Sequence, residues 1–301
     1  MRSFLLTLLF LVCSLGCEDV IDVETPSTEP RLVINGLIRV DRDQEFLPVK
    51  IRVTETSNFF DQIPVTQLDN ALIMYGTPLP DAPELFDSIA FSNLAESEPG
   101  SGIYEPDPTF DTEQRIRNSF VDSTTVFILI VENKGRRYLA RTPFSPTVPI
   151  ESLQQDELEV FNETLTGVKV KITDTPDIKN HYVMDFGNAE FETLDDQFFD
   201  GQEFEFSYFY DDDNTPEKGQ ETEISILGAD EQLYNYMNLL LEQTEETGGV
   251  FETPATTVRG NILDATGIDN NNLFDNSGRP NEYALGYFAV VQEYRKKIIF
   301  E

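Results

Sequence analysis

The 301-residue sequence contains no tryptophan, one histidine and two cysteines, and this scarcity excludes several kinds of site. Both cysteines, Cys13 and Cys17, lie near the amino terminus, so the rest of the chain can form neither a disulfide framework nor a thiolate zinc site. A zinc site built on histidine lacks ligands. His181 lies on a predicted strand with Asp185 on the same face, but no G-x-S-x-G nucleophile motif accompanies it. We therefore predict no catalytic residue.

Basic residues are also few. The chain has 21 lysines and arginines and 55 aspartates and glutamates, which gives a formal net charge of −34 at pH 7. Such a surface repels nucleic acid phosphates, so we predict no nucleic acid partner. It also repels anionic lipid surfaces, so attachment to a membrane would require acyl chains. Two interpretations of the charge stay open: solubility outside the cell, or capture of cations and steering of basic ligands.

The apolar run at the amino terminus, Phe4–Val12, is far shorter than the roughly 20 residues that a membrane-spanning helix needs. Arg2 precedes this run, and a small residue follows it directly before Cys17, which is the order of a bacterial lipoprotein signal. We predict that residues 1–16 are a signal peptide and that Cys17 is lipidated. A plain secretory peptide is the alternative, whereas Cys13 is a poorer acceptor because it lies at the end of the apolar run.

Residues 17–30 form an acidic segment with too few apolar groups to pack. We predict that this segment is a flexible tether between the lipid anchor and the folded chain. Acidic residues directly after an acylated cysteine resemble the surface-export signal of Bacteroidota lipoproteins. The predicted location is therefore the outer membrane, with the lipid-anchored chain on the cell surface.

Alternating apolar and polar residues predict strands through most of the remaining chain. The runs within residues 31–142 are short and separated by turns, which predicts an amino-terminal β-sandwich domain. Thr142–Pro149 is rich in proline, which a central strand does not tolerate, so we place a domain boundary there. Strand patterns resume over residues 150–301. The predicted fold class is mainly β, with two immunoglobulin-like β-sandwich domains in tandem.

One segment of the second domain, about residues 230–243, has the periodicity of an amphipathic helix. Asp230 is suited to cap its first turn. The apolar residues recur at spacings of three and four, so we predict that they form one face that packs against a sheet. These residues are Leu233, Tyr236, Met237, Leu240 and Leu241.

Two loops rich in aspartate and asparagine are the candidate metal sites. They begin at Asp211 and Asp264, and Asp213 and Asp269 supply further carboxylates. Closely spaced oxygen ligands suit calcium, although the first loop lacks the glycine and the glutamate of an EF-hand. Solvated turns have the same composition, so both interpretations stay open. No cofactor other than calcium is a candidate.

Five segments follow the acidic tether in a fixed order: Pro30–Gly36, Arg137–Ala140, Tyr234–Tyr236, Gly260–Ile262 and Leu285–Phe288. Together with the tether, these segments resemble the Bacteroidota lipoprotein family catalogued as domain of unknown function 4249. The resemblance covers nearly the whole mature chain, and it implies an outer-membrane lipoprotein of a kind often encoded beside TonB-dependent transporters. An accessory role in nutrient uptake is therefore expected, with such a transporter as the partner.

The sequence is compatible with three functions. The first is a non-enzymatic binding or accessory lipoprotein. Its ligand is not specified by the sequence, and predicted loops over residues 54–70, 76–102 and 264–282 are the candidate binding surfaces. The second is a surface hydrolase that acts on glycans or peptides through paired carboxylates. The third is an envelope structural lipoprotein without a small ligand.

Overall fold

The computed structural model describes residues 30–57, 65–160, 163–211, 214–245, 258–267 and 283–301, which form a mainly β protein with one α-helix in the described part. A short 3-10 helix covers Asn118–Phe120, and helix α1 covers Glu231–Glu245. The strands are β1 (Leu32–Val40), β2 (Ile51–Glu55), β3 (Asn70–Leu79), β4 (Ala82–Glu96), β5 (Ile103–Pro106), β6 (Val126–Asn133), β7 (Arg136–Ser145), β8 (Ile150–Val160), β9 (Glu163–Thr173), β10 (His181–Asp185), β11 (Phe191–Asp195), β12 (Glu203–Phe209), β13 (Glu221–Ala229), β14 (Ile262–Asp264) and β15 (Leu285–Ile299).

Twelve strands form one large sheet in the order β11-β10-β13-β15-β1-β2-β5-β4-β3-β6-β7-β14. An additional pairing of β15 with β7 closes the strands from β15 through β1 to β7 into a ring. The first apolar core fills this ring, and Ile34, Val53, Ile73, Phe127 and Phe288 are among its fully buried members. Every second residue of these strands points inward, as the two-residue period of a strand requires.

A second core lies between two layers of strands. One layer is the β11-β10-β13 end of the large sheet with the last part of β15, and the other is the separate sheet β12-β9-β8. Apolar side chains from both layers meet in this core, including Val170, Tyr182, Ile226 and Phe300. This arrangement is that of a β-sandwich.

Strand β15 joins the two cores because its two halves have different partners. Its first half pairs in parallel with β1, where Phe288 lies opposite Gly36, and its second half pairs antiparallel with β13. Phe288 and Val290 point into the first core, while Tyr287 and Ala289 point to the opposite face, where α1 packs. Because successive side chains of β15 point to opposite faces of the sheet, α1 and the first core lie on opposite sides of this strand.

The predicted fold class, mainly β with sandwich layers, is confirmed, and the predicted helix is present with bounds that differ by one or two residues. Strand pairing crosses the predicted boundary between the two domains. Strand β14 and the first half of β15, which the prediction assigned to residues 150–301, pair with strands of residues 31–142. This pairing could not be foreseen because it joins segments more than 200 residues apart, such as Val33 and Leu285.

Two local expectations were wrong. Strand β7 continues through Pro143, because this residue lies opposite Val126, the first residue of β6, and its missing N–H falls at the end of that ladder. Most of the predicted loop over residues 76–102 is strand, since the end of β3 and β4 form a long hairpin. No helix in the described part of the chain has both the length and the apolar character needed to cross a membrane.

Candidate functional site

A cleft of about 730 Å³ lies between α1 and the strands β7 and β14. This volume is within the range of sites for small molecules. The larger part of its exposed lining is apolar, and half of its lining residues are polar or charged, including Gln232, Asn235 and Asn261. The apolar and aromatic lining residues are Leu139, Pro143, Tyr236, Leu239, Leu263 and Tyr287, and the charged ones are Arg141, Arg259, Asp230 and Glu231.

The floor of the cleft is built by a close approach of Gly260 to β15. A Cβ atom on Gly260 would lie 1.7 Å from the carbonyl oxygen of Gly286, so only glycine allows this contact. The side chain of Asn261 fixes the same segment, because its Nδ2 donates to Phe288 O at 2.7 Å and its Oδ1 accepts from Phe288 N at 3.0 Å. The next residues then form β14 along β7.

Helix α1 forms the facing wall of the cleft. Asp230 caps the helix, since its Oδ1 accepts a hydrogen bond from Leu233 N at 2.8 Å. Leu233 is buried, and Tyr236 and Met237 pack with it against the sheet, which confirms the predicted packing for these three residues. The rings of Tyr236 and Tyr287 lie 4.7 Å apart between centroids, so this pair joins the helix wall to β15.

The hydroxyl group of Tyr287 is buried in the wall of the cleft without a hydrogen-bond partner among the described residues. Only 8% of this residue is exposed. Burial, with a smaller contribution from the charge of Asp230, raises the pKa of the phenol, so the hydroxyl stays protonated. A buried donor without a partner costs free energy of about 1–3 kcal/mol. The unpaired hydroxyl therefore marks a place where a ligand or an ordered water molecule would be stabilising.

The lining of the cleft carries two arginines and two acids, so its formal charges balance, although the chain as a whole is strongly acidic. Neither Arg141 nor Arg259 forms an ion pair with another described residue, and Arg259 instead lies over the ring of Tyr283 at 4.0 Å. The two acids already have partners. Asp230 caps the helix, and Glu231 lies 3.8 Å from the Nζ of Lys179.

Burial raises the pKa of Asp230, although the hydrogen bond from Leu233 N works against this rise. A raised pKa in the folded state means that the ionised carboxylate reduces stability once the pH exceeds the carboxyl's ordinary value. We expect Asp230→Asn to keep the cap and to be neutral or slightly stabilising at pH 7. Asp230→Ala should cost about 0.5–2 kcal/mol, because the cap is lost. Urea unfolding of both variants at pH 7 checks this, and equal losses would contradict it.

The predicted calcium ligands are not brought together as far as the structure describes them. Asp211 lies exposed after β12, and Asp264 is buried at the end of β14, where its Oδ2 lies 3.4 Å from Nη1 of Arg136 and its Oδ1 accepts from Thr266 N at 2.8 Å. Asp213 and Asp269 lie outside the described residues, as does Cys17. Calcium binding at these positions therefore stays a prediction.

A different group of carboxylates, Asp174, Asp196 and Asp200, has oxygen atoms within 4.8 Å of one another. Oxygen donors suit a hard cation, but calcium takes about six to eight ligands. The carboxylates of this group already accept hydrogen bonds from the surrounding loops and from β10. Their donors are Tyr182 Oη and Gly201 N to Asp174, Asn180 N to Asp196, and Asp177 N to Asp200. These bonds account for the two buried carboxylates of the group, Asp174 and Asp196.

The single histidine is part of the packing around α1. His181 is buried, its ring lies 4.7 Å from the ring of Tyr234, and burial lowers its pKa, so it is neutral at pH 7. Asp185, which the strand period places on the same face, is bound to Arg39 at 2.7 Å. No triad is built on this histidine within the described residues.

Sequence reasoning missed the cleft because its residues come from segments that are far apart in the chain. The available signal was the set of segments that carry the family resemblance. Four of these segments, 137–140, 234–236, 260–262 and 285–288, each contribute lining residues to the cleft. The family-like segments thus converge on one place in the fold.

Comparison with known proteins identifies one family and no curated relative. A family model described as "Domain of unknown function (DUF4249)" matches residues 18–297. No curated protein matches the chain. The matched range includes all of the segments that line the cleft.

Proposed function

The chain belongs to the DUF4249 family, and from this premise we propose that it is a lipid-anchored, non-enzymatic binding protein whose ligand occupies the cleft beside α1. One observation carries the proposal: the cleft of about 730 Å³ has a buried Tyr287 hydroxyl in its wall with no partner among the described residues. Largely apolar walls with a few convergent polar groups are typical of ligand sites.

Binding in the cleft can be tested with Nile red, a neutral apolar dye, on the full chain in a Cys17→Ala background, which avoids detergent. We expect a saturable rise in fluorescence that is lost in Leu239→Trp, because the indole fills the cleft. Leu158→Trp is the matched control, since Leu158 is 42% exposed on β8, outside the cleft, and Leu239 is 48% exposed. Saturable binding that survives Leu239→Trp would remove the cleft from the proposal.

The lipid anchor is proposed from the sequence around Cys17, which lies outside the described residues. We expect Cys17→Ala to move most of the protein from the membrane fraction to the soluble fraction, because a membrane anchor needs acyl chains and the acidic chain has no attraction to anionic lipid. Cell fractionation followed by immunoblotting measures this. The unfolding midpoint of the released protein should equal that of the wild type, and retention in the membrane fraction would refute the anchor.

An accessory role beside a TonB-dependent transporter of the outer membrane, with the chain on the cell surface, is part of the same proposal. Its support is the resemblance of the sequence to the family. Affinity purification of the wild-type protein in mild detergent, after crosslinking in cells, should recover such a transporter, with Cys17→Ala as the control. Recovery of no transporter from wild-type cells would remove the accessory role and leave the binding role.

A surface hydrolase is the second candidate, and the raised pKa of Asp230 at the cleft favours it. The carboxyl group that would act as an acid is, however, already used as the cap of α1. If the chain were such a hydrolase, Asp230→Asn would abolish the release of products from glycan or peptide substrates while the fold stayed intact. A structural envelope protein, the third candidate, would bind Nile red no better than its Leu239→Trp variant.

A further inference from the structure

We propose that the ligand of the cleft is an amphipathic small molecule with an apolar body and an anionic head group, and that Arg141 and Arg259 bind the head group. This inference rests on the proposed binding function and specifies its ligand class. It is carried by the placement of two cations without ion-pair partners on the same cleft as a largely apolar wall.

Arg141 and Arg259 are the basic residues that line the cleft, and like Arg52 and Lys218 they have no ion-pair partner among the described residues. With 55 acidic and 21 basic residues, a lysine or arginine is expected to find an acidic partner. Many others do, including Arg39, Arg117 and Lys171. A guanidinium group presents several donors in a fixed geometry and binds carboxylate and phosphate groups well.

The acids on the same cleft have contacts of their own and form no ion pair with Arg141 or Arg259 among the described residues. The carboxylate of Asp230 accepts the amide hydrogen bond that caps α1, and Glu231 is paired with Lys179 on the outer side of the helix start. Arg141 makes one long contact of its own, 3.4 Å from Nη2 to the carbonyl oxygen of Pro83, which leaves most of its donors free for a ligand.

The rest of the cleft matches the other end of an amphipathic ligand. Leu139, Leu239 and Leu263 offer aliphatic contacts, and the rings of Tyr236 and Tyr287 offer an aromatic surface. A purely ionic ligand such as a metal ion or inorganic phosphate would leave this apolar lining uncovered.

The test compares two probes of the same shape, phenylbutyrate and phenylbutanol, as competitors of Nile red on the full chain with Cys17→Ala. We expect the acid to bind about tenfold more tightly than the alcohol, as a charge-assisted hydrogen bond predicts. Arg141→Gln with Arg259→Gln should remove this preference, so that the ratio of the acid's affinity to the alcohol's falls about tenfold.

Arg52→Gln with Lys218→Gln is the matched control. Both residues are exposed, lie outside the cleft and have no ion-pair partner among the described residues, so the pair removes the same net charge. The control should keep the preference for the acid. Equal affinity of the wild type for acid and alcohol, or an equal loss in both double variants, would overturn the anionic ligand class. Either result would leave cleft binding intact, because that is measured separately by Nile red and Leu239→Trp.

Discussion

Replacement of Arg39 by methionine is expected to lower the free energy of unfolding by about 3–5 kcal/mol, the cost of removing one partner from a buried ion pair. Arg39 lies on β1, and its Nε donates to Glu293 Oε1 on β15 at 2.9 Å. Its Nη1 donates to Asp185 Oδ2, at the end of β10, at 2.7 Å. One side chain thus links the strands of the ring to the second core. The loss should be near the lower limit, because Arg295 still binds Glu293 at 2.6 Å.

The size of this effect follows from the burial of Glu293, whose side chain is fully shielded from solvent. Lys297→Met is the matched control, since its pair with Glu221 joins side chains that are 58% and 52% exposed. Exposed pairs contribute about 0–1 kcal/mol, so this variant should unfold at nearly the wild-type urea concentration. Equal losses in the two variants would show that burial does not determine the effect.

The same network predicts a dependence on pH. Burial opposes the ionisation of Glu293, but the hydrogen bonds from Arg295 and Arg39 outweigh it and lower the pKa of this carboxyl. A lowered pKa in the folded state contributes stability that is present above the ordinary carboxyl pKa, about 4.3, and is lost as the pH falls through the folded value. The difference between wild type and Arg39→Met should therefore narrow below about pH 4. A constant difference from neutral to acidic pH would indicate lost packing instead.

The residue pattern predicted the kinds of elements well and their partners poorly. Alternation in β1 and the spacing of Leu233, Tyr236 and Met237 in α1 are local signals, and both elements formed as expected. The two halves of β15 carry the same local signal although one pairs with β1 and the other with β13. The alternation of apolar and polar residues indicates which face of a strand is apolar. It does not indicate which distant strand pairs with that strand.

The candidate site was less predictable for a related reason. Its arginines, Arg141 and Arg259, follow no spacing rule, and their lack of ion-pair partners becomes visible only when the surrounding acids are placed. The hydroxyl of Tyr287 is unpaired for the same kind of reason, since the sequence shows only a tyrosine on an apolar strand. By contrast, the calcium prediction relied on the high aspartate and asparagine content of the loops that begin at Asp211 and Asp264. An acidic chain contains many loops of this composition whether or not they bind a metal ion.

Replacement of Gly286 by alanine, which adds one methyl group, should be among the most destabilising single substitutions in this chain. Gly286 has φ +90, and a Cβ atom there would lie 2.1 Å from the carbonyl oxygen of Ile34 on β1. The left-handed conformation costs about 1–2 kcal/mol for alanine, and forcing extra volume into a packed site adds about 1–3 kcal/mol. We therefore expect a loss of about 2–5 kcal/mol in urea unfolding.

Gly219→Ala separates the two contributions, because Gly219 has φ +85 and no atom would lie within 4 Å of its Cβ. This control should lose only the conformational part, about 1–2 kcal/mol. The excess loss in Gly286→Ala then measures the contact between β15 and β1. Since the carbonyl of Gly286 also lies against Gly260 in the floor of the cleft, Gly286→Ala should weaken Nile red binding even where the protein stays folded, whereas Gly219→Ala should not. Equal unfolding losses in the two variants would mean that β15 can move away from β1 without cost, and the floor of the cleft would then be less rigid than its close backbone contacts indicate.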